Sequence, residues 1–176
     1  MRHLRPADYR VQPWANGRGQ TIELWRHEEA GALRARLSMA RVDAPGPFSL
    51  FPGIERNLTV IDGPGFGLRG EGLALQCAPL APVAFPGDLA LEAVDVAAPS
   101  DDFNVMTARA LPRPEVQVLR EADLPPGGLL ALFALAPGQA GGMAMGRHDL
   151  LLRAGGLALS GHFLAVRLFG LEGALA

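Results

Sequence analysis

The sequence contains no lysine and a single cysteine. All 16 basic residues are arginines, set against 18 acidic residues, and the formal net charge is -2. This balance provides no general attraction to nucleic acid or to an anionic membrane surface, so we expect neither partner. One cysteine rules out an intrachain disulfide, and the apolar neighbours of Cys77 predict a buried, unreactive thiol. The longest apolar run, 127–136, is far shorter than the roughly 20 residues that cross a bilayer as a helix.

The sequence also shows no familiar catalytic or metal-binding signature, and we expect no secretory leader. Its first residues carry no apolar segment, so we expect a cytoplasmic location. Ser49 does not lie in a Gly-x-Ser-x-Gly elbow. No two histidines have a spacing that builds a metal site, and we expect neither a metal nor another cofactor. The histidines are His3, His27, His148 and His162.

Glycine and proline are abundant, and together they exclude long helices. The chain has 22 glycines and 15 prolines, which interrupt it every few residues. Only 6–9 and 121–124 leave room for a brief helix. Between these interruptions lie about ten short runs, several with the period of two that is typical of strands. They are 21–26, 33–42, 57–61, 73–77, 89–94, 103–109, 115–120, 129–136, 148–153 and 162–169. The pattern predicts an all-β sandwich or barrel.

The two halves of the chain differ in composition. The first, about 1–100, holds most of the polar and aromatic motifs, whereas the second, about 101–176, is richer in Ala, Leu and Gly. Both read as strand series of similar size. We therefore expect two barrels fused in one compact body, with the first carrying a site and the second serving as scaffold.

The segment 46–56 is the most informative loop. It places Phe48, Ser49, Phe51 and Arg56 close together between Pro-Gly-type turns. A loop that only connects strands does not need two aromatic rings and a guanidinium at this spacing. We interpret it as a rigid loop that aims these side chains at a ligand.

Three further segments add polar candidates. In 33–42, Arg36 and Ser38 share the face opposite the apolar one, which points either to a barrel interior or to solvent. If buried, Arg36 needs a carboxylate partner from the protein or from a ligand. Asn104, which shares a face with Met106, is disfavoured inside a strand and needs either a structural hydrogen bond or a ligand contact. The Gly-rich segment 14–23 offers Trp14 as a flat wall and Asn16 as a hydrogen-bonding group, or is simply a strand entry.

Taken together, these segments resemble the HutD/Ves family of small bacterial proteins. The resemblance is carried, in order, by 14–23, 36–40, 46–56, 85–88 and 102–106. It implies a cupin-type (RmlC-like) double barrel, that is, a bicupin of two fused β-sandwich or jelly-roll halves without a metal. It also implies moderation of histidine utilization through binding of a small carboxylate such as urocanate or N-formylglutamate. The expected ligand-binding residues are Trp14, Asn16, Arg36, Ser38, Phe48, Ser49, Phe51, Arg56, Asn104 and Met106.

The sequence departs from the family pattern at three positions. Ala15 and Arg18 stand in a block that usually reads Trp-Lys-Asn-Gly-Gly-Gly, and Ala108 replaces the first of two adjacent arginines. The ligand could therefore differ from that of close relatives.

Two other functions stay open at this point. An enzyme acting on a small amide or imidazole would need a general base, for which Asp102, Glu23 or Glu55 could serve if desolvated. A module that only binds other proteins is the third class. An exposed strand edge or apolar patch could form a homodimer, and nothing in the sequence locates one.

Overall fold

A computed structural model describes residues 1–13 and 19–175. It divides into two compact units. The N-terminal unit is Arg10–Arg109, and the C-terminal unit joins Met1–Tyr9 to the chain from Ala110 onward. The first nine residues therefore pack with the C-terminal part of the chain, and the division falls nine residues after the position that composition suggested.

The described residues form seventeen strands and one short 3-10 helix, Pro6–Asp8. The strands are β1 (Arg2–Leu4), β2 (Arg10–Pro13), β3 (Gln20–Glu29), β4 (Ala32–Val42), β5 (Gly46–Pro47), β6 (Ile54–Asp62), β7 (Phe66–Gly70), β8 (Leu73–Cys77), β9 (Val83–Pro86), β10 (Glu92–Val94), β11 (Ser100–Ala108), β12 (Glu115–Leu124), β13 (Leu129–Ala134), β14 (Gly138–Ala140), β15 (Met143–Met145), β16 (Leu150–Ala154) and β17 (Leu157–Leu168). The prediction of an all-β chain is confirmed.

The N-terminal unit consists of two antiparallel sheets. Six strands follow the order β2-β3-β4-β11-β6-β9, and four follow the order β5-β10-β7-β8. Apolar side chains from both sheets form one core between them. The six-stranded sheet supplies Val42, Leu58, Val60 and Phe85, and the four-stranded sheet supplies Phe66, Leu68, Cys77 and Ala93. This core identifies which face of the six-stranded sheet points inward.

The C-terminal unit is built on one seven-stranded sheet with a strongly apolar core. Its path is β1-β16-β13-β17-β14-β15, and β12 also pairs with β17. All six residues of β13 are buried. The N-terminal segment is attached by strand pairing with β16 and by the Tyr9 hydroxyl, which donates to the His148 carbonyl at 2.5 Å.

Two expectations about local structure have opposite outcomes. The brief helix near the N-terminus is confirmed by Pro6–Asp8. The second helix candidate, 121–124, is wrong because this segment continues β12. A β-bulge after Leu119 shifts the register of β12 against β17. Glu121 then lies opposite Ser160, and the pairing continues to Leu124.

Two other expectations concern burial and membranes. Cys77 is fully buried, and burial raises the pKa of its thiol to about 12, which agrees with an unreactive cysteine. Within residues 1–13 and 19–175, no helix has the length and apolar character needed to span a membrane.

Candidate functional site

A band of polar side chains lies inside the N-terminal unit, on the inward face of its six-stranded sheet. Paired residues of antiparallel strands point to the same side of the sheet, and alternate residues share a face. Three rows run across β4, β11 and β6. They are Arg36–Met106–Arg56, Ser38–Asn104–Leu58 and Ala40–Asp102–Val60. Since Leu58 and Val60 belong to the core between the sheets, the other members of these rows face the same interior.

Arg56 is the central cation of this band. It is only 6% exposed. Its Nη2 donates to Asn104 Oδ1 at 2.7 Å, and Nη1 makes a long contact of 3.5 Å with the Ser49 carbonyl. The Nε–H has no hydrogen-bond partner, and no carboxylate among the described residues forms an ion pair with this guanidinium. Arg56 therefore presents a buried positive charge with unused donors.

Three phenylalanine rings surround the Arg56 guanidinium. Its Cζ lies 5.2 Å from the centroid of Phe48, 5.5 Å from that of Phe51 and 5.1 Å from that of Phe85. Each ring at this distance contributes about 0.5–2 kcal/mol of cation–π attraction. Burial lowers the pKa of Arg56 to about 10, an effect opposed by the Asp102 carboxylate and reinforced by Arg36. Arg56 therefore stays cationic at neutral pH.

Asp102 and Asn104 continue the band along β11. The Asn104 side-chain amide donates to Asp102 Oδ1 while its own oxygen accepts from Arg56. Asp102 is 1% exposed, and its Oδ2 has no hydrogen-bond partner. Burial raises the pKa of the Asp102 carboxyl to about 7; Arg56 opposes this shift, and Asp101 adds to it. Asp102 is thus a carboxyl group poised to exchange a proton near neutral pH.

Arg36 lies on the same face as Arg56 but has a protein partner. Its Nε is 2.9 Å from Oε2 of buried Glu23, an ion pair whose N–H is not aligned for a hydrogen bond. Its Nη2 donates to Gln12 Oε1 at 3.1 Å. Burial lowers the pKa of Arg36, and Glu23 counteracts this. Of the two anionic partners considered for a buried Arg36, the protein carboxylate is the one observed.

The aromatic loop is held in place by backbone contacts on both sides. Phe51 N donates to the Gly87 carbonyl at 2.7 Å, and Gly87 N donates to the Ile54 carbonyl at 2.7 Å. A side chain at position 87 would come within 2.8 Å of the Ile54 oxygen and 2.9 Å of the Phe51 oxygen, so this close approach requires glycine. Arg109 N also donates to the Gly53 carbonyl at 2.9 Å.

The Arg109 side chain adds a second link to the same region. Its two Nη atoms contact both oxygens of Asp88 at 2.9 and 2.8 Å, and its Nε donates to Glu55 at 2.6 Å. These contacts join the turn after β9 to the start of β6. They therefore fix the loop that carries Phe48 and Phe51.

A depression of about 560 Å³ opens at the surface of the N-terminal unit. It is lined by Pro47, Phe48, Leu50, Arg69, Gly70, Ala90, Leu91 and Glu92. Phe48 belongs to both this depression and the aromatic surround of Arg56. Arg56 itself is not part of its lining, so we place the site by its buried polar groups rather than by this depression.

The predicted site residues fall into three groups. Trp14 and Asn16 lie outside the described residues. Arg56 is contacted by the rings of Phe48 and Phe51 and by the Ser49 backbone carbonyl, while the Ser49 residue is exposed. The remaining five share the inward face and are Arg36, Ser38, Arg56, Asn104 and Met106. Arg36 and Ser38 are 8% and 2% exposed, so the interior is the correct alternative and solvent is not.

The structure adds two residues to this set. Phe85 faces Arg56 from β9 and lies in the Phe-Pro-Gly-Asp block that carried part of the family resemblance. Asp102 was considered only as a general base, although the period of two along β11 already places it on the Asn104 face. In the described ranges, no group of three or more His, Cys, Asp or Glu could hold a metal ion.

Fold and site together define a cupin-type β protein with a polar, arginine-containing interior. A cupin 2 conserved barrel domain protein from Leptotrichia buccalis has a similar fold, with a TM-score of 0.54 over 84% of this chain and 88% of that chain. At 7% sequence identity, this similarity concerns the fold alone.

The chain belongs to the HutD family, whose sequence model matches residues 6–161. A Pseudomonas putida protein described as an uncharacterized 21.2 kDa protein in the hutC 3′ region is 36% identical over 110 residues. The match spans 60% of this chain and 57% of that relative. The structure of HutD from Pseudomonas fluorescens SBW25, described as a formate condition, has a TM-score of 0.88 at 28% identity. That similarity covers 96% of this chain and 97% of the other.

Proposed function

We propose that this protein binds a small carboxylate inside its N-terminal unit, with Arg56 as the anion-binding group, and thereby moderates histidine utilization. One observation carries the proposal. Arg36 and Arg56 lie on one face of one sheet, and Arg36 is paired with Glu23, whereas Arg56 has no carboxylate partner among the described residues.

A buried cation without a directly paired anion is unfavourable, because the protein interior stabilises a charge much less than water does. The nearest carboxyl, Asp102, is linked to Arg56 only through Asn104. Arginine has five N–H donors, and the contacts of Arg56 use two of them, one at the long distance of 3.5 Å. The remaining donors can hold a carboxylate in the bidentate geometry that guanidinium favours. Phe48, Phe51 and Phe85 would shield this pair from water and so strengthen it.

The link to histidine utilization rests on the family and its members. The P. putida relative is described by its position in the hutC 3′ region, and the P. fluorescens HutD structure was obtained in a formate condition. Formate is the smallest carboxylate. Urocanate and N-formylglutamate, which the family resemblance implies, both carry the anionic group that Arg56 lacks. A cytoplasmic location and a homodimer stay predictions.

The first test is a thermal-shift screen of the purified protein against urocanate, N-formylglutamate, glutamate and formate, followed by calorimetry. At a ligand concentration 100 times its Kd, we expect about 2.7 kcal/mol of stabilisation, a Tm increase of roughly 5–11 °C. Arg56→Ala should lose the shift, and the exposed Arg120→Ala serves as control. Unchanged affinity in Arg56→Ala would exclude this binding mode.

A metal-independent enzyme is the second candidate, because Asp102 has the properties of a general base. Its Oδ2 has no partner, and its pKa of about 7 suits proton transfer near neutral pH. Glu23 and Glu55, the other candidate bases, are engaged by Arg36 and Arg109. Product analysis of each stabilising ligand tests this role. Turnover that disappears in Asp102→Asn would favour catalysis over binding alone.

A further inference from the structure

We infer that Asp102 forms the second half of the binding site, where it accepts a hydrogen bond from the ligand. The ligand class is then a small carboxylate that also carries an N–H or O–H donor within the same molecule. This inference rests on the proposed function, because it takes Arg56 as the group that holds the carboxylate.

The inference starts from an unsatisfied acceptor. Asp102 is 1% exposed, and Oδ1 receives the Asn104 amide while Oδ2 has no partner. Buried carboxylate oxygens almost always accept a hydrogen bond, since leaving one unpaired is costly. The neighbours of Asp102 in its row, Ala40 and Val60, have no side-chain donor. Cys77 of the facing sheet is close enough for Asp102 to raise its thiol pKa, but it does not donate to Oδ2. Among the described residues, none supplies a hydrogen bond to this oxygen.

Asn104 relates this acceptor to the anion-binding group. Its oxygen accepts from Arg56 and its amide donates to Asp102, so only one orientation of the side-chain amide satisfies both neighbours. Because Asn104 lies between them, Arg56 and Asp102 do not form an ion pair with each other. Arg56 Nη2 and Asp102 Oδ1 are joined through the Asn104 amide by one hydrogen bond on each side, which keeps these two atoms within about 7 Å of each other. This distance fits two functional groups of one small molecule.

The free groups at the two ends are complementary to such a molecule. Arg56 has an unpartnered Nε–H, which donates, and Asp102 has an unpartnered Oδ2, which accepts. A ligand with only a carboxylate would satisfy the first and leave the second unpaired. A ligand with an additional N–H would satisfy both.

The test uses ligand pairs that differ in the donor alone. One pair is urocanate with 3-(1,3-oxazol-4-yl)acrylate, whose ring oxygen replaces the N–H while the other ring nitrogen is kept. The other is N-acetylglycine with acetoxyacetate, in which an ester oxygen replaces the amide N–H. For at least one pair, calorimetry at pH 8, where the Asp102 carboxyl is ionised and Oδ2 accepts, should show the N–H member binding about tenfold more tightly to the wild type, since an unpaired buried acceptor is costly.

Asp102→Asn is the matched variant. Its carboxamide oxygen can still accept from Asn104, while an amide group replaces Oδ2 and presents a donor where the ligand needs an acceptor. We expect the preference for the N–H member to disappear or to reverse, and the affinity for the member without N–H to stay within about threefold. Circular dichroism checks that the variant folds. The wild-type comparison does not depend on the variant.

The outcomes separate this inference from the function on which it rests. Suppose that both members of every pair bind the wild type with equal Kd, that Arg56→Ala abolishes this binding and that Asp102→Asn leaves the Kd unchanged. The proposed role of Asp102 is then wrong, and carboxylate binding stands. If neither these ligands nor formate bind, the proposed function fails and this inference fails with it. A tenfold preference that Asp102→Asn abolishes supports both.

Discussion

The two units differ in how they treat buried charge. In the C-terminal unit, buried Asp149 accepts from His3 and from the Gly146 backbone, and buried Arg167 donates to the Gly127 carbonyl. In the N-terminal unit, Arg56 and Asp102 each keep an atom without a partner. The C-terminal unit has thus satisfied its charged groups within the fold, as a scaffold would. The N-terminal unit keeps a free donor on Arg56 and a free acceptor on Asp102, as the proposed binding site requires.

Replacing the buried arginine of each unit by alanine should have different effects. The Arg56 variant should show the largest loss of ligand affinity, whereas the Arg167 variant should lose stability only. Removing one partner of a buried, hydrogen-bonded charge pair costs about 2–5 kcal/mol of binding free energy, so Arg56→Ala should weaken the ligand by at least about 30-fold. Arg167→Ala should lower the stability of the C-terminal unit and leave the Kd unchanged. Calorimetry measures both Kd values. Equal losses of affinity in the two variants would contradict the comparison.

Among the effects on stability, the loss of the buried ion pair in the N-terminal unit should be the largest. Glu23→Gln leaves Arg36 buried without a countercharge, and breaking such a pair typically costs about 3–5 kcal/mol of unfolding free energy. Urea unfolding at pH 7 gives the value. Asp95→Asn, which breaks the exposed ion pair with Arg69, is the control and should change stability by about 1 kcal/mol or less. A Glu23→Gln effect no larger than this would mean that water or another group compensates Arg36.

Asp102 should make the stability of the ligand-free N-terminal unit depend on pH. Its pKa rises from the usual 3.8 to about 7 because of burial, so the folded state binds a proton more tightly than the unfolded state. The resulting contribution is favourable below about pH 4 and is lost as pH rises toward 7, where the carboxyl ionises inside the protein. Asp102→Asn removes the group that ionises. Relative to the wild type, this variant should therefore gain about 1 kcal/mol or more at pH 8 compared with pH 5.

Urea unfolding of both proteins at the two pH values measures this difference. An Asp149→Asn variant of the C-terminal unit, in which the native Oδ2 accepts from both His3 and Gly146, provides the comparison. A wild type and an Asp102→Asn variant with parallel pH profiles would show that Asp102 does not titrate in this range.

Much of this site could be predicted from short-range pattern. The period of two placed Asn104 and Met106 on one face, and the register of β11 confirms it. The pattern could not predict that Arg36 has a carboxylate partner and Arg56 has none, because this depends on which strands become neighbours in the sheet. Arg36 meets Glu23 only because β3 pairs with β4, and such pairing is a property of the whole sheet.

The strands that were missed share a physical reason. Seven strands have no counterpart among the predicted runs, and β7 shows why. Its sequence, Phe66–Gly70, contains two glycines besides an arginine, a composition that favours turns when it is judged locally. In the fold, β7 pairs with both β8 and β10, and its Phe66 and Leu68 enter the core. Tertiary pairing therefore outweighs local preference there.

The smallest predicted effect concerns Arg109, which positions the aromatic loop without contacting the proposed ligand. Its side chain is exposed, so Arg109→Ala should leave the unfolding midpoint nearly unchanged, as exposed ion pairs contribute little. It should nevertheless weaken ligand binding about two- to fivefold, because Phe48 and Phe51 would then surround Arg56 less tightly. Arg109→Lys keeps the charge but not the fork that spans Asp88 and Glu55, so it should resemble the alanine variant. If only Arg109→Lys binds the ligand like the wild type, the charge of residue 109 rather than its fork geometry holds the loop. If neither variant changes the Kd, the backbone hydrogen bonds from Phe51, Gly87 and Arg109 are sufficient to hold the loop in place.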